Sequence, residues 1–166
     1  MRQIVSVLFA LALWDVSGCT HATGNVEQYA IVVDYSQSLS QMIDRSNCIV
    51  PWHRVTEQNF PLKGMKTREA AVVLFKVNEQ ASATELVEYL ERHGLRPAKI
   101  EELLAVAENH PNVIEGAVTV SLGSVVQDGQ NQASYPSLEW RGGSCILVIR
   151  PDKDWDAKSQ FLAVVR

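Results

Sequence analysis

Hydrophobic residues along the chain follow two patterns, short continuous runs and stripes at helical spacing. Apolar runs bounded by polar residues are typical of buried strands, whereas apolar residues three and four apart form one face of a helix. Glycines at 142 and 143 also favour a β-hairpin, because tight hairpin turns select glycine. The first pattern predicts strands over residues 29–34, 69–77, 116–126, 138–140, 144–150 and 161–165.

Three helices are predicted between these strands. A short one over 36–44 places its apolar residues on one face. Ser82 and Glu85 have the spacing of a capping box, in which each side chain accepts a hydrogen bond from the other residue's backbone N–H. The second helix therefore begins there, and it ends at Gly94.

The third helix is predicted over 97–108. Pro97 suits its first turn, because a proline lacks the N–H that would stay unpaired there. The second and third helices, joined by Gly94-Leu-Arg-Pro97, are expected to pack as one unit. The order of elements predicts an α+β fold, with a mainly antiparallel or mixed sheet and two to three helices packed on one face.

The first nineteen residues have the pattern of a bacterial export signal. Arg2 supplies a positive start, and an apolar segment over 4–14 follows. That segment is shorter than the roughly 20 residues that cross a bilayer, but it fits the about 7–15 residues of a signal peptide. Val16-Ser17-Gly18-Cys19 then resembles the box of bacterial lipoproteins, in which the cysteine is acylated and becomes the new N-terminus.

This resemblance implies a removed signal peptide over 1–18, a tether over 19–27 and a single domain over 28–166. The expected partner is the membrane, reached through lipid on Cys19 on the periplasmic side. Asp15, a charge beside the box, favours the alternative that the first 28 residues are an ordinary part of a cytoplasmic protein.

Composition narrows the function. Hydrophobic residues make up 46% of the chain, which is ordinary for a folded domain. Fifteen basic and nineteen acidic residues give a net charge of −4, without the clustered cations that nucleic acid requires. The three cysteines form no close pair of the kind that binds zinc, and no phosphate-binding loop is present in the sequence. We expect no nucleic acid, metal or cofactor.

Cys48 and Cys145 each lie in an apolar stretch, where a free cysteine behaves as a small hydrophobic residue. In an exported protein the two could instead form a disulfide, which would leave Cys19 for the lipid. A bridge that closes a loop of about 100 residues would stabilise the fold by on the order of 4–5 kcal/mol.

Few side chains suggest a binding site. Asp34 stands at the carboxyl end of a predicted strand, where sheets often present functional groups, although it could equally cap the helix that follows. Trp52 and His53 combine an aromatic face with a titratable ring, as a binding groove would, but a tryptophan-anchored loop has the same composition.

Arg96 could line a cleft with Glu101 and Glu102, although acids in the first turn of a helix are normal partners of its dipole. An enzymatic role would require Asp34, His53 and Arg96 to converge in one pocket.

Six short segments carry a further resemblance: Val33-Asp-Tyr-Ser36 with Met42-Ile43, Asn59-Phe-Pro61, Gly94-Leu-Arg-Pro-Ala98, Glu102-Leu-Leu-Ala105, Leu122-Gly-Ser124 and Phe161-Leu-Ala-Val164. Through them, residues 29–166 resemble an uncharacterised family of small bacterial proteins with no established function. The resemblance therefore implies no activity and no catalytic residue.

Three hypotheses follow. The first is a non-enzymatic accessory or binding domain, tethered to a bacterial membrane as a lipoprotein. The second is a cytoplasmic regulatory or interaction domain, and the third is a small enzyme with its site near Asp34, His53 and Arg96.

Overall fold

The computed structural model describes residues 26–51, 54–62, 64, 66–76, 81–127, 130–152, 155 and 158–166. The predicted signal peptide, Cys19, Trp52 and His53 lie outside these residues. The elements in chain order are β1 (Glu27–Asp34), α1 (Leu39–Ser46), β2 (Thr67–Lys76), α2 (Ala83–Arg92), β3 (Leu95–Pro97), α3 (Ile100–Asn109), a 3₁₀ helix (Pro111–Val113), β4 (Val118–Ser121), β5 (Val126–Gln127), β6 (Ala133–Arg141), β7 (Ser144–Pro151) and β8 (Ser159–Val165).

The described strands form one eight-stranded sheet in the order β1-β2-β8-β4-β6-β5, with β3 paired to β8 and β7 paired to β6. β4 and β8 run parallel, and the other paired strands run antiparallel. The expected α+β class, with a mixed sheet and helices packed against it, is confirmed. No helix among the described residues is both long enough and apolar enough to cross a membrane.

β8 organises the sheet. β2 occupies one of its edges, while β3 and β4 share the other from opposite directions. Pro97 of β3 pairs with Ala163, and Ser121 of β4 pairs with the adjacent Leu162. The carboxyl ends of β3 and β4 therefore meet at the middle of β8, directly before α3 begins.

Alternate residues of β8 belong to two separate hydrophobic cores. Leu162 and Val164 contribute to the core that contains the buried residues of α1 and α3. Phe161 and Ala163 contribute to the core that contains Leu86 and Leu90 of α2. Because successive side chains of a strand point to opposite faces, α1 and α3 share one face of the sheet and α2 packs on the other.

The expectation that α2 and α3 pack as one unit is therefore wrong. The two helices lie on opposite faces of the sheet, and β3, which pairs with β8, connects them. The helix predicted from Pro97 begins instead at Ile100. Pro97 pairs within the sheet, and Ala98 N–H continues that pairing by donating to the carbonyl of Leu162 at 3.1 Å.

Of three further local predictions, two are confirmed and one is wrong in extent. The capping box at the start of α2 is confirmed: Glu85 Oε2 accepts from Ser82 N–H at 2.8 Å. The β6–β7 hairpin is also confirmed, with Gly142 and Gly143 at positive φ in its two-residue turn. The strand predicted over 116–126 is wrong in extent, because a turn near Gly123 divides it into β4 and β5.

Candidate binding pocket

Two consecutive glutamates open α3, and the fold gives them different surroundings. Both are buried, with 5% of Glu101 and 1% of Glu102 exposed to solvent. Glu102 lies inside a network of donors between three elements. Glu101 faces a pocket on the other side of the helix start.

The carboxylate of Glu102 accepts three hydrogen bonds. Tyr35 Oη donates at 2.5 Å and Arg96 Nη2 at 2.7 Å to one oxygen, and Lys99 N–H donates at 2.6 Å to the other. Burial alone would raise the pKa of Glu102, but the bonds from Arg96, Tyr35 and Lys99 outweigh it and leave the pKa below its ordinary value. The network fixes the end of β1, the strand β3 and the start of α3 together.

Residues from β4's end complete the start of α3. Ser124 Oγ accepts the N–H of Ile100 at 3.0 Å, which supplies a cap from a distant segment. Gly123 N–H donates to the carbonyl of Ala98 at 2.7 Å. A Cβ at position 123 would lie 2.6 Å from that carbonyl oxygen, so glycine permits the close approach. Four of the six resemblance segments, 33–36, 94–98, 102–105 and 122–124, thus meet around the first turn of α3.

A pocket of about 130 Å³ lies between the end of β1, α1 and α3. α3 contributes residues 101, 104, 105, 108 and 109, a spacing that places them along one stripe of the helix. The lining residues are Val32, Val33, Asp34, Gln37, Met42, Arg45, Thr67, Glu101, Leu104, Ala105, Glu108 and Asn109.

Most polar groups of the pocket already have partners. Asp34 accepts from Ser36 Oγ at 2.6 Å, from Ser36 N–H at 3.1 Å and from Gln37 Nε2 at 3.2 Å. The bonds from Ser36 lower the pKa of Asp34. Arg45 Nε donates to Glu108 Oε1 at 2.8 Å, so this ion pair joins α1 to α3.

Glu101 is different. Within the described part of the chain, no other side chain forms a hydrogen bond or an ion pair with its carboxylate, although Lys99 and Arg96 attract its charge from beyond ion-pair distance. Burial raises the pKa of Glu101 because it reduces the hydration of the negative charge, and the attraction by its own backbone N–H, Lys99 and Arg96 offsets this only in part. The pocket therefore contains one buried acidic group with accepting capacity to spare.

The predicted site residues Asp34 and Arg96 lie in different surroundings. Asp34 lines the pocket but does not cap α1, because Ser38 takes that position and forms a capping box with Gln41. Arg96 lies outside the pocket lining and pairs with Glu102. Arg96 is thus not among the residues that line this pocket with Asp34, and His53 lies outside the described residues, so the convergence that the enzyme hypothesis requires stays a prediction.

The sequence left two interpretations of Glu101 and Glu102 open, a cleft shared with Arg96 or ordinary partners of the helix dipole. A signal for Glu101 was present, since it is spaced three, four and seven residues from Leu104, Ala105 and Glu108 on the same helix face. No comparable signal links Tyr35 to Glu102, because their contact depends on how β1 and α3 pack.

Cys48 and Cys145 lie side by side on the same face of the sheet as α3. Ile49 N–H donates to the Cys145 carbonyl at 2.8 Å, and Leu147 N–H donates to the Ile49 carbonyl at 2.9 Å. This short parallel pairing holds the two cysteine Cα atoms 4.6 Å apart, and a disulfide joins their sulfurs. The sequence allowed either this bridge or two free thiols.

No group of three or more His, Cys, Asp or Glu residues in the described ranges is arranged to hold a metal ion. The chain matches no protein-family model, no curated protein and no solved structure. The resemblance to the small bacterial family and to the lipoprotein box accordingly stays a prediction.

Proposed function

We propose that the chain is a bacterial lipoprotein, a non-enzymatic binding domain exported to the periplasmic side and held at the membrane by lipid on Cys19. The domain following the tether would bind its ligand in the pocket between β1, α1 and α3. The observation that carries the proposal is the pairing of Cys48 with Cys145.

The disulfide supports export because such bonds persist in oxidising compartments, including the bacterial periplasm, and are rare in the cytosol. The sequence contains three cysteines, and pairing two of them leaves Cys19 as the thiol for acylation. This division of the cysteines agrees with a lipoprotein box that ends at Cys19.

The binding role is supported by the construction of the pocket. Its floor includes Glu101, a buried carboxylate with spare accepting capacity. The neighbouring Glu102 network anchors the same helix turn to β1 and β3. A site on a helix held in this way is already formed before ligand arrives, as small-molecule sites usually are.

Metabolic labelling tests the anchor. The full chain is produced in a bacterial host supplied with an alkyne analogue of palmitate. We expect label on the wild type, no label on Cys19→Ala, and undiminished label on Cys48→Ala, the matched cysteine control. Mass spectrometry should find a mature N-terminus at Cys19.

Label that persists on Cys19→Ala would overturn the proposal. An intact leader beginning at Met1 in the soluble fraction would also do so, and would favour the cytoplasmic regulatory or interaction domain instead.

A further inference from the structure

We infer that the pocket binds a small primary alkylammonium ligand, with its charged group at Glu101 and its alkyl chain against Met42 and Leu104. This inference rests on the proposed binding role and names the ligand class for that site.

The charges of the pocket favour a cation. Three carboxylates, those of Asp34, Glu101 and Glu108, line it together with one guanidinium, that of Arg45. Arg45 is already paired with Glu108, and Asp34 is held by neighbouring donors such as Gln37. In the described part of the chain, Glu101 is the acid of this lining that neither forms an ion pair nor accepts a hydrogen bond from another side chain, and Lys99 and Arg96 attract its charge only from beyond ion-pair distance.

A buried carboxylate without an adjacent counter-charge is unfavourable, because the hydration it has lost is replaced only in part. An ammonium group would supply both the opposite charge and up to three N–H donors. The ligand would thus gain at Glu101 what the protein alone does not provide.

The apolar residues of the pocket favour an alkyl chain as the rest of the ligand. Met42 is 6% exposed and Leu104 is 1% exposed, and both line the pocket beside Glu101. The volume of about 130 Å³ is close to that of cavities of roughly 150 Å³ that hold benzene. A chain of about four carbons with a terminal ammonium therefore fits the space.

A divalent metal fits less well. Calcium takes six to eight oxygen ligands, and magnesium demands near-octahedral oxygen coordination. The described residues contain no group of three acidic, histidine or cysteine side chains arranged for a metal. An apolar wall beside the carboxylate also suits an alkyl chain better than a hydrated ion.

The test uses the ¹⁵N-labelled full-length protein purified in a nonionic detergent. It is titrated with n-butylammonium chloride, and separately with n-butanol, sodium butyrate and magnesium chloride. We expect saturable amide shifts with butylammonium, concentrated at Gln37, Glu101, Ala105 and Asn109. Butanol, which matches the shape without the charge, should bind more weakly, and butyrate and magnesium should produce no saturable shift at these amides.

Variants identify the recognising group. Glu101→Gln should weaken butylammonium binding at least about tenfold, the effect of losing one charge-assisted hydrogen bond. Glu88→Gln is the control, since Glu88 is exposed on α2 on the opposite face of the sheet. Thermal melting of both variants shows whether they are folded, and the wild-type shifts locate the site even if Glu101→Gln is not.

Equal binding of butanol and butylammonium would overturn the inference, as would unchanged binding by folded Glu101→Gln or butylammonium shifts confined to another surface. If butylammonium fails to bind while Cys19 is acylated, the ligand class is wrong and the membrane anchor stands. If butylammonium binds in this pocket to a chain that retains its leader, the ligand class stands and the membrane anchor is wrong.

Discussion

The phenol of Tyr35 donates a 2.5 Å hydrogen bond to Glu102, although 67 positions separate the two residues in the chain. Tyr35 follows β1, and Glu102 lies in the first turn of α3. Arg96 of β3 pairs with the same carboxylate oxygen. One buried acid therefore determines how a strand end, a second strand and a helix meet beside the pocket.

Replacing Tyr35 by phenylalanine should lower the free energy of unfolding by about 1.5–3 kcal/mol, the range for hydrogen bonds to charged groups. Because the ring is retained, the decrease in unfolding free energy arises from the lost hydroxyl and from the hydrogen bond that Glu102 no longer accepts. Urea denaturation measures the effect. Tyr29→Phe is the control, because the Tyr29 hydroxyl bonds to Glu27 in an exposed position and should change stability by less than about 0.5 kcal/mol.

Glu102→Gln should change the pH dependence of stability in one direction. The pKa of Glu102 is below its ordinary value in the folded protein. Its charged form therefore stabilises the fold above the unfolded pKa, and this contribution is lost as the pH falls through the folded pKa. The wild type should exceed the variant in unfolding free energy at neutral pH, and the difference should shrink on acidification below about pH 4.5.

Glu101→Gln should change the pH dependence of the unfolding free energy in the opposite direction. Burial raises the pKa of Glu101, so its contribution is present below the unfolded pKa and is lost as the pH rises through the folded pKa. The variant should gain on the wild type as the pH rises. Urea denaturation across the pH range measures both variants, and a parallel response of the two would contradict the different surroundings assigned to these adjacent residues.

The sequence predicted the elements whose signals are local. Ser82 and Glu85 are three residues apart, and their mutual hydrogen bonds form wherever that segment becomes helical. Gly142 and Gly143 likewise favour a tight turn independently of the rest of the fold. These parts of the prediction could succeed without knowledge of tertiary contacts.

The start of α3 could not be predicted in that way. Pro97 suits a first helical turn, but it lies in β3 instead, because β3 pairs with the edge of β8. The cap of α3 comes from Ser124, which is 24 positions away. Tertiary pairing overrode local preference here, and the same packing created the Glu102 network and the pocket.

Gly123→Ala should destabilise the fold by roughly 1–3 kcal/mol, the usual cost of overpacking. The added Cβ would lie 2.6 Å from the Ala98 carbonyl oxygen and 2.8 Å from that of Pro97. Both are backbone atoms at the end of β3 and in the link to α3, so no side chain can rotate away. Thermal unfolding measures the loss, with Val125→Ala as a nearby control because Val125 is half exposed. Equal stability of the two variants would show that the β3–β4 junction relaxes.

Reduction of the Cys48–Cys145 bond should lower the free energy of unfolding by about 4–5 kcal/mol in the chain-entropy model, because the bond closes a loop of about 100 residues. The pairing of Ile49 with Ile146 keeps the two cysteines adjacent in the folded state, so the effect arises chiefly in the unfolded chain. Guanidinium denaturation with and without dithiothreitol measures it. The double variant Cys48→Ala, Cys145→Ala should be insensitive to the reductant, whereas Cys19→Ala should respond as the wild type does. An oxidised protein, verified by thiol titration, that unfolds at the same midpoint after reduction would exclude a stabilising role for the bridge.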